Sequence, residues 1–280
     1  MSDIETTTNP DLMRHLSPTK IEGMMKCGLA VKFRYIDKIP EPAVGVMVAG
    51  SAVHAVLERA LKQRILGAPL PSAADMVDWF GPAWDEQINE RESKEGFSAW
   101  DWGDENADAV KEECKRLVEF TRLQVLDAIK PKVIEHECKT RFESAAGDFL
   151  VWGYIDLLEE DGLLSDWKTT KKVSANAQKL GMQLPYYSYE VIHLMGLKPD
   201  AAINARKIFL VRGKKPKVEV ARYSVTQSQR KWFADVAAEC WKATQSDAYV
   251  PNTSGWWCSA KFCSFYAMCQ GELGEVNGGD

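Results

Sequence analysis

Residues 153–170 read Gly153-Tyr-Ile-Asp156-Leu-Leu-Glu-Glu-Asp-Gly162-Leu-Leu-Ser-Asp166-Trp-Lys168-Thr-Thr170. Two apolar runs flank an acidic turn that ends in glycine, the pattern of a β-hairpin. The length of the turn decides what the hairpin displays. A two-residue loop, Asp161-Gly162, pairs Asp156 with Trp167 and sends Asp166 to the other face. A three-residue loop, Glu160 to Gly162 with left-handed glycine, sets Asp156 directly opposite Asp166. Alternation then puts Lys168 on the face of Asp166, and two carboxylates and an amine lie within about 5–8 Å of one another. Both loops are chemically reasonable.

Two carboxylates on one face repel and raise each other's pKa, so a cation is expected to hold them. Mg²⁺ or Mn²⁺ suits such oxygen ligands. An ion of this kind polarises a phosphodiester, activates water and stabilises a departing oxygen. Lys168 would add positive charge at the transition state. An Asp-x-Lys tripeptide alone is common by chance. The hairpin and a downstream helix give it weight.

Outward from the hairpin, 132–142 reads as a preceding strand, separated from 149–159 by Ala145-Ala146-Gly147-Asp148. A helix is expected over about 174–194, strands near 202–211 and 218–224, and a long helix from Thr226 to near Ser246. Toward the N-terminus, Ser17-Pro18 is a helix start. Ala52, Val53, Ala55, Val56, Leu57, Ala60 and Leu61 form a helical apolar stripe, with His54 and Glu58 one turn apart. Two more helical stretches fall at about 73–95 and 105–129. This order predicts an α/β core, a central mixed sheet flanked by helices, with an N-terminal helical elaboration. A single domain is expected over 17–270, with a helical insertion at about 72–130 and a cysteine-rich segment at 256–269. The tails 1–16 and 271–280 are expected to be disordered.

The 280 residues carry a net charge of −5, so the total does not advertise a nucleic-acid partner. The distribution says more. Acidic residues dominate from Asp85 to Glu113, whereas Arg206, Lys207, Arg212, Lys214, Lys215, Lys217 and Arg222 face only Glu219 within 206–222. Such a stretch is either a solvated face or a track for a phosphate backbone. No secretory signal and no membrane-length apolar run is visible, which suggests a soluble, cytoplasmic protein. Seven cysteines, an odd number, argue against a disulfide framework. Cys258-x4-Cys263-x5-Cys269 with distant Cys27 supplies four soft ligands, which suit Zn²⁺ or an iron–sulfur cluster.

Taken in order, these motifs resemble the RecB-type branch of the PD-(D/E)XK nucleases, including the CRISPR-associated exonucleases. Gly153-Tyr-Ile-Asp156 and Asp166-Trp-Lys168-Thr169 are similar to its second and third motifs. Gly50-Ser-Ala-Val-His54 is similar to its helical histidine motif, and Gln183-Leu-Pro-Tyr-Tyr187 to its Gln-x3-Tyr motif, here with Pro185 between the two. Ser17 to Cys27 resembles the opening helix whose cysteine joins a C-terminal trio. The resemblance implies metal ligation by His54, Asp156, Asp166 and the Trp167 carbonyl, with Lys168 catalytic. Gln183 and Tyr187 would position the lysine or the DNA. It also implies a [4Fe–4S] cluster on Cys27, Cys258, Cys263 and Cys269, although the first interval, x4, is longer than the family's usual x2. The implied function is a DNA exonuclease acting on single strands or ends in bacterial or phage recombination and repair, with a homo-oligomer or a helicase as possible associates. The alternative is a non-catalytic DNA-binding scaffold subunit.

Overall fold

The computed structural model describes residues 15–94, 97 and 99–273, the last three by backbone alone. The expected tails lie almost wholly outside this range. At the inner end of the first, Leu16 is buried and bridges Val151: its N–H donates to the Leu150 carbonyl at 2.9 Å, and its carbonyl accepts from Trp152 at 2.9 Å.

Helices α1 (Pro18–Lys26) and α2 (Gly28–Tyr35) are followed by α3 (Gly45–Ile65), α4 (Ala73–Glu92) and α5 (Ala107–Gln124). Ser17 caps α1 through the Lys20 N–H at 3.2 Å. Ser72 and Asp75 close a capping box on α4. Two short strands, β1 (Ala43–Val44) and β2 (Trp100–Asp101), pair in parallel beside these helices. The main sheet then forms from β3 (Pro131–Phe142), β4 (Phe149–Glu159), β5 (Leu164–Thr170), β6 (Ile203–Val211) and β7 (Lys217–Val225) in sequence order. Only β5 and β6 run parallel, joined through α6 (Gln183–Leu194); the other neighbours are antiparallel. Helices α7 (Gln227–Gln245) and α8 (Tyr266–Leu273) complete the described chain.

Each face of the sheet carries its own core. Ile21 of α1, Tyr186 and Val191 of α6 and Phe233 and Trp241 of α7 pack on Phe149, Val151 and Ile155. On the other side Val53 and Leu57 of α3, Phe80 of α4 and Leu117 of α5 pack on Leu157, Trp167, Ile208 and Leu210. Burying each large apolar side chain contributes roughly 1.5–3 kcal/mol. The expected central mixed sheet flanked by helices is the observed fold. No helix among the described residues is long and apolar enough to cross a membrane.

One expected element differs. The helix foreseen over 174–194 begins only at Gln183, because 174–180 forms turns and Gly181 adopts a left-handed φ of 69°. Pro185 therefore sits in the first helical turn, where its missing N–H costs nothing, and it leaves Gln183 and Tyr187 on one helical face.

Candidate active site

The hairpin uses the three-residue turn. Leu157 pairs with Ser165 and Leu158 with Leu164, and Gly162 closes the turn at a φ of 85°, donating to the Glu159 carbonyl at 2.9 Å. Asp156 therefore stands opposite Asp166, but the backbone ladder stops short of them. The Trp167 N–H donates instead to the Asp156 carboxylate at 2.7 Å. From there β5 stays with β6 and β4 stays with β3, and a gap opens between them.

Across that gap lies a residue the sequence reading did not single out. Ile134 pairs with Leu157 and His136 with Ile155, so Glu135 lies opposite Asp156. Its φ is 47°, a left-handed conformation that is costly for a side chain of this kind. Alternate strand residues normally share a face. Here Cys138 and Ile155 belong to the core beneath α6, whereas Ile134 and Leu157 belong to the core beneath α3. Both strands thus change face across the Glu135–Asp156 pair, as at a bulge that re-aims a side chain.

The re-aimed acids meet His54 on α3. Ligand atoms of His54, Glu135 and Asp156 all lie within 4.8 Å of one another. Burial pushes His54 down to about 4, helped by the positive charge of Lys168, so its imidazole is neutral at pH 7. Burial raises Glu135 to about 7, with Glu58 adding repulsion, and raises Asp156 well above the usual carboxylate range, with Asp166 adding repulsion. A neutral imidazole and two destabilised carboxylates are a donor set that a divalent cation would relieve.

Asp166 and Lys168 supply the other side of the gap. Asp166 is buried, accepts from the Lys168 ammonium at 2.8 Å through one oxygen, and leaves its Oδ2 buried with no hydrogen-bond partner. That orphaned oxygen suits the same cation. Lys168 also donates to Gln183 Oε1 at 2.8 Å. Burial works against its charge, but Asp166 and Asp156 outweigh it and raise the ammonium pKa. Tyr187 lies over Gly153: a Cβ there would come within 2.9 Å of the ring, so this close approach requires glycine. The predicted residues thus converge, with one change of emphasis. The tight cluster is His54, Glu135 and Asp156, while Asp166 is engaged with Lys168. The Trp167 backbone is at the same place: its N–H donates to Asp156, and its peptide group lies beside His54.

With this geometry in view, the family comparison is decisive. The model of the PD-(D/E)XK nuclease superfamily matches residues 15–270. The chain belongs to that superfamily. A crystal structure of a candidate exonuclease from Eubacterium rectale shares the fold of this PD-(D/E)XK protein at a TM-score of 0.54, with 9% identity and 92% of each chain covered. A second structure, of SSO0001, covers 49% of this chain and 59% of its own at 14% identity and a TM-score of 0.32. Comparison with curated proteins finds no match.

Two other sequence features of this PD-(D/E)XK chain find their places. The basic stretch is not a continuous phosphate track. Arg206 pairs with Glu159, Arg212 with Glu105 and Glu113, and Lys217 with Glu219. The acidic stretch had supplied two of those partners, Glu105 and Glu113. The four cysteines do converge: Cys27, Cys258, Cys263 and Cys269 line one cavity of about 120 Å³ between α1, α2 and the C-terminal segment. Trp256 and Phe262 stand beside it but remain largely exposed, at 67% and 54%, so they do not seal it.

Proposed function

We propose that this protein is a divalent-metal-dependent DNA exonuclease acting on single strands or ends, in a recombination or repair setting. One observation carries the reading: His54, Glu135 and Asp156 converge within 4.8 Å beside the Asp166–Lys168 pair. When bound, Mg²⁺ or Mn²⁺ supplies Lewis-acid activation of the phosphodiester and charge neutralisation. The chain's own groups do the rest. His54, already neutral, offers a ring nitrogen without losing a proton, whereas burial and neighbouring acids make Glu135 and Asp156 hold a proton more tightly than ordinary carboxylates. Asp166, whose Oδ2 is buried without a hydrogen-bond partner, would add a further oxygen ligand. Lys168 stays protonated and is aimed by Gln183, so its ammonium meets the charge that develops on the phosphoryl oxygens. Tyr187 backs Gln183 from the next helical turn.

The cysteine cavity supports a [4Fe–4S] cluster on Cys27, Cys258, Cys263 and Cys269. Four thiolates suit either a tetrahedral Zn²⁺ or an iron–sulfur cluster, and the RecB-type resemblance favours the cluster. Its role is to staple chain segments more than 200 residues apart, offsetting the entropy of closing so long a loop. The preference for DNA ends, and association with a helicase or with further copies of the chain, rest on the RecB-type resemblance. The exonuclease assignment of the Eubacterium rectale structure agrees with it.

The test is cleavage of end-labelled single- and double-stranded DNA by anaerobically purified protein in Mn²⁺, Mg²⁺ or EDTA, beside Lys168→Ala. Metal-dependent shortening from ends that the variant lacks is expected. Cleavage in EDTA, or none in either metal, overturns the proposal.

A further inference from the structure

Lys207 presents an anomaly that the reaction site does not use. It sits on β6, in parallel register with Asp166 on β5, and is only 7% exposed. A buried cation is ordinarily paired with an anion. Among the described residues no carboxylate forms an ion pair with it. Its ammonium instead donates to two backbone carbonyls, Lys179 at 2.6 Å and Ala177 at 3.4 Å. Its neighbours on the same strand, Arg206 and Arg212, both have acidic partners.

The surroundings of Lys207 form a cleft of about 530 Å³, large enough for a nucleotide. Lys168 lines the same cleft, with Asn176, Lys179 and Gln183. The lining also includes the Glu22 carboxylate, which attracts Lys207 without forming an ion pair and accepts from the Met182 N–H at 2.8 Å; nearby, Tyr223 donates to the Gln178 carbonyl at 2.6 Å. Adjacent strands lie about 4.8 Å apart and residues two apart along a strand about 6.6 Å. The backbone anchors of Lys168 and Lys207 are therefore separated by roughly 8 Å. A phosphate met by Lys168 leaves the next stretch of the same strand within reach of Lys207.

We infer that this cleft seats the nucleotide adjoining the cleaved bond, with Lys207 holding the phosphate next to the scissile one. The inference rests on the nuclease reading for the identity of the cut bond, but its own signature is binding. Lys207 is a positioning residue and touches no reacting atom. The carbonyls now around its ammonium keep it desolvated and pointed at the cleft, so that an anionic oxygen replaces weaker acceptors. A charge-assisted contact of this kind is worth about tenfold or more in affinity.

The experiment measures binding of a labelled single-stranded oligonucleotide in EDTA, so that no cleavage intervenes. Each phosphate in turn is replaced by a neutral methylphosphonate, and the wild type is compared with Lys207→Met and Lys207→Arg. One position should cost the wild type about tenfold or more. Lys207→Met should bind the unmodified strand equally weakly and ignore that replacement, while Lys207→Arg keeps the sensitivity. The slope of log affinity against log salt should flatten by about 0.7 in Lys207→Met, the loss of one phosphate contact to a single strand. Cleavage of bis(4-nitrophenyl) phosphate in Mn²⁺, which has no neighbouring phosphate, should be equal in all three proteins. A scan in which no single phosphate matters, or a Lys207→Met defect of equal size on the small diester, overturns the inference. Wild-type binding that depends on Lys207 without cleavage in any metal would sink the nuclease reading alone. Cleavage with binding indifferent to Lys207 would sink the cleft alone.

Discussion

At the gap between β4 and β5, each functional group is placed by the backbone. Register sets Glu135 against Asp156 and Asp156 against Asp166, and a hydrogen bond from the Trp167 N–H to the Asp156 side chain stands in for a missing rung of the ladder. The result is a site at odds with itself, with a left-handed glutamate, acids raised by burial and an orphaned oxygen. At the cysteine cavity the chain does far less. Its apolar cluster is small, with Phe33, Phe265 and Cys269 buried beside a few half-buried neighbours. The first region gives up stability for poised charge, as functional sites commonly do. The second has only this small core, and a bound ligand would add order to it. Removing the ligand should therefore mean lost reaction at one place and lost structure at the other.

The sharpest way to break this contrast is Lys168→Ala. It should lower turnover by roughly 10²–10³-fold or more, as removal of a transition-state charge donor does, while thermal melting stays near that of the wild type. An unfolded variant would show that the gap is structural after all. Cys27→Ser or Cys258→Ser should act the other way round. Absorbance near 400 nm should disappear and the melting temperature should fall by several degrees, in line with a loss of a few kcal/mol. The metal-dependent cleavage of whatever remains folded should persist.

Glu135→Gln sharpens the comparison inside the gap. Isothermal titration with Mn²⁺ should show affinity at least about tenfold weaker, one charged ligand having gone. The metal-free variant should be no less stable than the wild type, because a repelling acid has been removed. The pH dependence follows from the same group. Glu135 is raised from 4.5 to about 7, so in the metal-free protein its contribution is present below pH 4.5 and is lost as the pH rises through 7. His54 is lowered from 6.5 to about 4, so its contribution is present above 6.5 and is lost as the pH falls through 4. Between them the two oppose, and Asp156, also raised, titrates in the same direction as Glu135. Metal-free stability should fall from pH 6.5 to 7.5 while Mn²⁺ affinity rises, and denaturant titration with and without the ion reads both. In Glu135→Gln both slopes should flatten; slopes as steep as those of the wild type would be fatal to this assignment. The smallest effect expected on the chemistry is that of Gly153→Ala. Its methyl would press on the Tyr187 and Tyr186 rings, the latter pinned to the Val151 carbonyl at 2.6 Å, costing about 1–3 kcal/mol of stability.

Much of the site was legible because hairpins obey arithmetic. The hairpin was evident but its two turn lengths stayed open; the three-residue one, at 160–162, is what brings Asp156 opposite Asp166 with Lys168 beside it. The same arithmetic at the turn between Phe142 and Phe149 would have set Glu135 opposite Asp156. What hid Glu135 was the change of face, which no alternation pattern encodes. The helix foreseen from 174 failed for a local reason, Gly181 in a left-handed conformation. The basic stretch left two readings open, and part of it proves paired for a tertiary reason, since Arg212 found Glu105 and Glu113 about a hundred residues away. Helix α2 was missed because Cys27 and Gly28 look like a stop when they serve as a joint between two helices.

The three-residue turn capped by Gly162 works as a ruler. Were Glu160 instead to pair with Leu163 across a two-residue turn, Trp167, not Asp166, would arrive opposite Asp156, with the apolar residues of β5 presented to the wrong layer. Most surface loops can trade one turn type for another without such a consequence. Here the choice of turn decides whether the acids meet at all, so substitutions that favour the shorter turn should silence the protein while leaving its composition almost untouched.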